Sequence, residues 1–295
     1  MKSTRCAAIL LLLLAPATGS AQDQFFDSNG VRIRYTDQGS GEPVVLIHGN
    51  GGTLQGWTDA GVLPNLARDY RVIALDARGH GKSGKPHDAK AYGREMGMDV
   101  IRLMDHLGIR RAHIVGYSMG ASITAHLLTV HPERFITATL GGAAGRFRWT
   151  AADTARAETE AAEKERECIS RTQVFRLAPV NQPKPSEEEL KKASAACMAN
   201  QSQDRFALAA VSRGMQDQVI TPAQVSAVKV PTLGVVGSRD GYLADFQELK
   251  KLRPDLKLVV IEGASHGGAA GAMRRPEFVA AVREFIGSKR GTSSR

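Results

Sequence analysis

The sequence predicts an α/β fold: a mostly parallel central sheet with helices on both faces and a helical cap inserted between two strands. Three observations carry this. Short apolar runs rich in Val and Ile recur along the chain with helical patterns between them, the arrangement of a parallel sheet covered on both faces. From about Gly142 to Ala227 the alternation breaks and helical patterns follow one another. The 295 residues, 42% hydrophobic and 23% charged, suit a soluble globular protein and exclude fibrous or wholly disordered classes.

The chain opens with Lys2 and Arg5, an apolar run from Ala7 to Ala15, and the small residues Gly19-Ser20-Ala21. That order is the pattern of a secretory signal peptide over residues 1–21, cut near Ala21–Gln22. The run falls short of the about 20 residues that span a bilayer, so no stable membrane anchor is expected. Cys6 lacks a lipoprotein-type motif before it. Cleavage removes two cations and takes the formal charge from +9 to +7. The remaining Arg and Lys are scattered, which argues for a basic soluble surface and against a nucleic-acid partner. The expected location is periplasmic or secreted. Two cysteines then remain, Cys168 and Cys197, and an oxidising compartment favours their pairing as a disulfide.

The elements follow in order. Val31-Arg32-Ile33-Arg34-Tyr35 alternates with period two and reads as an edge strand. Pro43 to Ile47, Arg71 to Asp76, Ala112 to Gly116, Pro231 to Gly237 and Leu256 to Ile261 are continuous apolar runs suited to central parallel strands. Ile136 to Leu140 is a weaker candidate. Helical spacing runs from Arg94 to Leu107, from Ala121 to Val130 ahead of His131-Pro132, and from Pro276 to Ile286. In the interrupted stretch, helices are expected over Thr150–Cys168, Ser186–Ala199, opened by a Ser186–Glu189 capping box, and Gln203–Met215. Pro179, Pro183 and Pro185 separate the first two. The Glu158 to Glu167 run is expected to be a solvated face. The resulting division is residues 22–141 and 228–287 as the core, 142–227 as the cap and 288–295 as a disordered tail.

Gly116-Tyr117-Ser118-Met119-Gly120 sits between an apolar strand and a helix. G-x-S-x-G in that setting is a tight strand-to-helix turn that exposes its serine at the edge of the sheet. A serine hydroxyl needs a base, and the base needs an orienting acid. Asp240 follows the run ending at Gly237, and His266 follows the last strand. Both therefore fall at the sheet's C-terminal edge in the order Ser, acid, His. Asp245 is the reserve acid, farther from its strand. His106, His113, His126 and His131 come too early, and His80 and His87 lie in an early loop. The negative oxygen formed on attack needs preorganised N–H donors. Met119 N–H at the helix start and Asn50 N–H in His48-Gly49-Asn50-Gly51-Gly52 are the candidate oxyanion hole.

These segments, with Asp76-Ala77-Arg78-Gly79-His80-Gly81-Lys82-Ser83, Gly237-Ser238-Arg239-Asp240 and Gly263-Ala264-Ser265-His266, resemble the motif set of the α/β-hydrolase fold superfamily from about Val31 to Ile286. The resemblance implies an α/β-hydrolase fold and a structural, non-catalytic role for Asp76, Arg78 and His80. Haloalkane dehalogenases and epoxide hydrolases of this fold carry Asp at the elbow where this chain has Ser118, which disfavours both reactions.

The leading expectation is therefore an exported serine esterase acting on a small or medium small-molecule ester through an acyl-enzyme, with Ser118 as nucleophile, His266 as base and Asp240 as its orienter. No cofactor and no metal are implied. An imidazole base with an ordinary pKa of ~6.5 predicts loss of activity below about pH 6. C–C bond hydrolase, lactonase, lipase and perhydrolase chemistry use the same triad, and the cap decides among them. A ligand-binding receptor without turnover is the alternative of another class. Trp57, Phe147, Trp149, Phe206 and Met215 are candidate pocket walls. The oligomeric state is open.

Overall fold

The computed structural model describes residues 22–179 and 181–289. The expected leader and residues 290–295 of the expected tail lie outside them. Eight strands form one sheet in the order β1-β2-β4-β3-β5-β6-β7-β8. They are β1 (Gln24–Ser28), β2 (Val31–Gln38), β3 (Pro43–Ile47), β4 (Arg71–Leu75), β5 (Ala112–Tyr117), β6 (Phe135–Gly141), β7 (Thr232–Gly237) and β8 (Lys257–Ile261). β1 and β2 run antiparallel to their neighbours, and the pairs from β4 through β8 are parallel.

Period two sends alternate residues of each central strand to opposite layers. Val45 and Ile47 pack with Met96, Val100 and Leu103 of α3 (Arg94–His106) and with Ile123 of α4 (Met119–Val130). Val44 and Leu46 pack on the other face with Leu63 and Leu66, ahead of Phe278 and Val282 of the C-terminal helix (Pro276–Gly287). The buried runs read from the sequence are thus sheet core on both sides. Ile136–Leu140, the weak candidate, is a buried strand inside the sheet.

Two placements differ from expectation. The strand at Val31 is not the edge, because β1 pairs along it from Gln24↔Tyr35 to Ser28↔Val31. The edge at the other end is β8, where Lys257 is exposed and Val260 is 44% exposed. An apolar run reports residue type and not what lies beside it, so β8 reads as central from sequence alone.

Short helices also escaped the sequence reading: α1 (Gln55–Asp59), α2 (Val62–Leu66), α6 (Arg171–Leu177), α9 (Pro222–Ala227) and α10 (Leu243–Leu252). One or two turns hold too few residues to show a period. α10 was the legible one, with Leu243, Phe246, Leu249 and Leu252 spaced three apart. Pro276–Gly287 is α11, and Ser288 and Lys289 form a turn that closes it.

Between β6 and β7 stand the cap helices α5 (Ala151–Glu167), α6, α7 (Glu187–Ala199) and α8 (Arg205–Gly214). Thr150 and Asp153 form a capping box on α5, and Ser186 and Glu189 form the expected one on α7. α9, inside the stretch expected as cap, packs on the core instead, with Val225 beside Ala125 and Leu249. Cys168 is bonded to Cys197 with Cα atoms 5.8 Å apart. Cys168 is the C-cap of α5 and Cys197 lies on α7, so the expected bond joins the helices read at Thr150–Cys168 and Ser186–Ala199, with the short α6 between them.

The Glu158–Glu167 run is not a purely solvated face. Ala157, Glu160, Ala161 and Lys164 make one buried stripe at helical spacing, and α5 packs along α8 with it. Lys164 Nζ donates to Ser212 Oγ at 2.7 Å, and Glu160 pairs with Arg176 at 2.9 Å. Burial lowers the Lys164 pKa to about 8.

Candidate active site

The strand ends on one edge of the sheet supply the site. β5 ends at Tyr117 and α4 begins at Met119, leaving Ser118 to make the whole turn at φ +54° and ψ −110°. For a residue with a side chain that conformation is strained. The flanking glycines allow it: a Cβ on Gly120 would stand 2.0 Å from the Ile47 carbonyl oxygen, and one on Gly116 would stand 2.1 Å from that of Gly120. Ser118 N–H donates to the Gly141 carbonyl at 2.7 Å, which ties the turn to β6.

Ser118 Oγ lies 2.8 Å from His266 Nε2, and His266 Nδ1 lies 2.9 Å from Asp240 Oδ2. The hydrogen-bond pattern assigns the ring proton to Nδ1, donated to the carboxylate, which leaves the Nε2 lone pair to accept from the serine. Asp240 is buried, and its second oxygen accepts the Tyr242 N–H at 3.0 Å. Tyr117 O–H donates to the His266 carbonyl at 2.6 Å, and the Tyr117 and Tyr242 rings flank the imidazole. Both partners of the histidine are thus fixed from more than one side. Asp245, the reserve acid, is not part of this chain of contacts. It lines the adjoining cavity, where burial and then Glu248 push its carboxyl above the usual range.

The loop after β3 turns tightly, with Gly52 N–H donating to the Gly49 carbonyl at 3.0 Å. It passes against the elbow serine, since a Cβ on Gly49 would stand 3.2 Å from that of Ser118. His48 takes the Ala77 N–H on Nε2 at 3.0 Å and gives Nδ1–H to the Gly49 carbonyl at 2.7 Å, so it is neutral and holds the loop's first turn. Burial lowers its pKa. His80 contacts the Arg78 carbonyl at 3.0 Å and the Asn50 side chain at 3.1 Å, and burial lowers its pKa to about 3. Asp76 accepts from Leu54 N–H and Lys82 N–H, both at 2.8 Å, and Arg78 is paired with Asp99 at 2.6 Å. Asp76 and His80 brace the loop, Arg78 ties its segment to Asp99 and the Ala91 carbonyl, and all three stand outside the Ser–His–Asp chain.

Asn50, Ser118 and Met119 line one cavity of about 250 Å³ under the cap. As the first residue of α4, Met119 carries an amide without an intrahelical acceptor. The arrangement joins a hydroxyl, a base with a free lone pair and an orienting carboxylate, beside a helix start that faces the same space. Phe147, Trp149 and Met215 line the cavity as expected. Two expected walls do not. Trp57 is buried beside Phe278 on the far layer, and Phe206 is 43% exposed, tilted against His87.

Sequence reasoning missed the cap's own contribution. Gln173 of α6 meets the Asn50 amide at 3.5 Å, and Gln203 donates to the Gly51 carbonyl at 2.9 Å, so cap residues clasp the loop. Arg176 links Glu160 to the hydroxyl of Tyr242, whose own N–H holds Asp240. No motif marks such residues.

A sequence profile of the α/β hydrolase fold matches residues 42–269. The chain belongs to the α/β-hydrolase fold family. Within it, this α/β-hydrolase is 43% identical over 122 residues to the dihydrolipoyllysine-residue acetyltransferase component of the acetoin cleaving system of Cupriavidus necator, covering 41% of this chain and 32% of that one. It is 40% identical over 118 residues to a 2-hydroxymuconate semialdehyde hydrolase of a Pseudomonas species, covering 39% and 41%. The chain thus spans about a third to two fifths of the length of these curated relatives. A solved structure of an N-acyl homoserine lactone degrading enzyme superposes with a TM-score of 0.68 at 27% identity, covering 89% of this α/β-hydrolase and all of the other chain.

Proposed function

We propose that the protein hydrolyses a carboxylic ester of a small molecule through an acyl-enzyme intermediate. The observation that carries this is the continuous chain Ser118–His266–Asp240, at 2.8 and 2.9 Å, opening into the cavity shared with Asn50 and Met119. Ser118 Oγ attacks the carbonyl carbon while His266 Nε2 takes its proton. Asp240 holds the imidazole in the tautomer that accepts there and stabilises it once charged. The Asn50 and Met119 amides receive the developing oxyanion. Collapse breaks the ester C–O bond, and the alcohol leaves with the proton from Nε2. Water, deprotonated by His266, then releases the acid and restores Ser118. A cavity of about 250 Å³ accommodates a small acyl ester rather than a polymer.

Lactone opening and C–C bond cleavage by the same triad form the second reading. The lactone-degrading structural neighbour and the semialdehyde hydrolase relative support it. We also propose that the protein is exported, a reading supported by the N-terminal pattern and by the Cys168–Cys197 bond, which an oxidising compartment preserves.

A fluorophosphonate probe tests the enzyme reading. One adduct per chain, mapped by mass spectrometry to the Ser118 peptide, is expected. An intact protein that resists the probe while binding ligands is instead a receptor on this scaffold.

A further inference from the structure

The loop leaving β6 carries Gly145-Arg146-Phe147-Arg148-Trp149 into the cap, and its residues line the same cavity as Ser118. The cations around this cavity differ in how they are satisfied. Arg156 is paired with Asp153 and Arg176 with Glu160. Arg146 and Arg148 form no ion pair among the described residues, and of the two Arg148 is exposed to solvent. The Arg146 Nε is sealed from solvent and finds no hydrogen-bond acceptor. The Trp149 ring faces this side chain, with the ring centre 5.1 Å from the guanidinium carbon. The Arg146 backbone carbonyl accepts Ile220 N–H at 2.9 Å, so the residue's position is anchored.

A guanidinium stays charged in proteins, and a charge withdrawn from water without a partner is costly. Burial lowers the Arg146 pKa, and nearby Arg176 and Arg156 act in the same direction, while Tyr242 and Glu160 oppose them. Asp245 and Glu248 also line the cavity, but neither is ion-paired to Arg146; burial and then Glu248 push the Asp245 carboxyl up, against a smaller opposing pull from Arg148 and Arg146. The protein therefore places a guanidinium with no ion-pair partner and an orphaned Nε on the wall of the reaction space.

We infer that Arg146 is an anion subsite, and that the preferred substrate carries a free carboxylate in addition to the carbonyl that Ser118 attacks. A carboxylate fits a guanidinium fork with two parallel N–H···O bonds. Trp149 supports the guanidinium plane from one side, which orients the fork. The substrate class is then the monoester, or the corresponding lactone or C–C analogue, of a short dicarboxylic acid. This rests on the proposed hydrolase reading and narrows it.

The test compares mono-p-nitrophenyl glutarate with its neutral terminal amide, two acyl groups of nearly equal shape. The wild-type protein is expected to favour the acid in kcat/KM by about tenfold or more, the scale of a charge-assisted pair. In Arg146→Met the ratio is expected to fall to about one, with Arg146→Lys between the two. Fluorophosphonate labelling of Ser118 in each variant reports that the site is assembled. Equal wild-type rates, or a preference that survives in Arg146→Met, overturn the subsite. If Arg146→Met does not fold, competitive inhibition of the wild type decides. Glutarate inhibiting more strongly than the neutral glutaric diamide upholds the subsite, and equal inhibition overturns it. If neither ester is cleaved, the hydrolase reading fails separately. Calorimetry then settles the subsite: glutarate bound by wild type and not by Arg146→Met upholds it, and any other result overturns it.

Discussion

Ser118 sits at φ +54°, in a region that residues with side chains occupy at a cost of about 1–3 kcal/mol. The surroundings hold it there, with Gly141 accepting its N–H and Gly116 and Gly120 leaving room for the backbone. The same strain places Oγ against His266. Ser118, Asp240 and His266 were legible because each ends a recognisable strand in a fixed order. Arg146, Gln173 and Tyr242 were not, since their importance depends on which atoms oppose them in space. His80 yields a prediction at this scale. Its folded pKa of about 3 lies below the ~6.5 of an unfolded histidine, so the unfolded chain binds the proton first as pH falls. Stability is therefore full above pH ~6.5 and declines toward pH 3. His80 alone is expected to withdraw about 2 kcal/mol between pH 7.5 and 5. Urea unfolding at both pH values, compared with His80→Gln, checks this. A variant with an unchanged pH slope contradicts it.

Among the elements, the β5–α4 junction and the cap respond differently to change. The junction is packed backbone to backbone, so Gly120→Ala forces a carbon to within 2.0 Å of the Ile47 carbonyl oxygen. Loss of about 3 kcal/mol or more is expected, read as a lowered denaturation midpoint or insoluble expression. A variant as stable as the wild type contradicts the close approach. The cap is held by the α5–α8 face and by the disulfide, whose cysteines are 29 residues apart. Removing that bond in a Cys168→Ser, Cys197→Ser double variant is expected to cost roughly 3–4 kcal/mol where cap and core unfold together. Thermal melting with and without reductant tells the two cases apart: a cap that unfolds alone gives a separate early transition. The long cap helices were legible from their composition, and α7 also from its capping box. The buried Glu160 and Lys164 were hidden because a charged residue in an Ala- and Glu-rich helix reads as solvated until its stripe is seen to face α8.

Across the whole molecule, one edge of the parallel sheet gathers residues scattered over most of the chain. Asn50 follows β3, Ser118 follows β5, Arg146 follows β6, Asp240 follows β7 and His266 follows β8. This convergence was readable before the structure, because parallel strands place all their C-terminal ends together. The lateral order was less so. β1 went unread, so its neighbour β2 was taken for the edge, and the true edge β8 was taken for a central strand, since a run's composition does not reveal its neighbours. What enters the cavity is decided by the cap and by the β6 exit loop, where no strand pattern guides the reading. Export is checked by the mass of protein recovered from the periplasm or medium of a secreting host. A mature chain starting at Gln22 is expected, and a full-length intracellular product contradicts it.

The central claim is that Ser118 forms the acyl-enzyme, and the turnover of p-nitrophenyl acetate by Ser118→Ala tests it most directly. The substitution removes only the hydroxyl and leaves the cavity, the cap and the oxyanion donors in place. The account predicts a fall in kcat of about 10³-fold or more, to a rate near background. A folded Ser118→Ala protein that retains a rate near the wild type contradicts it.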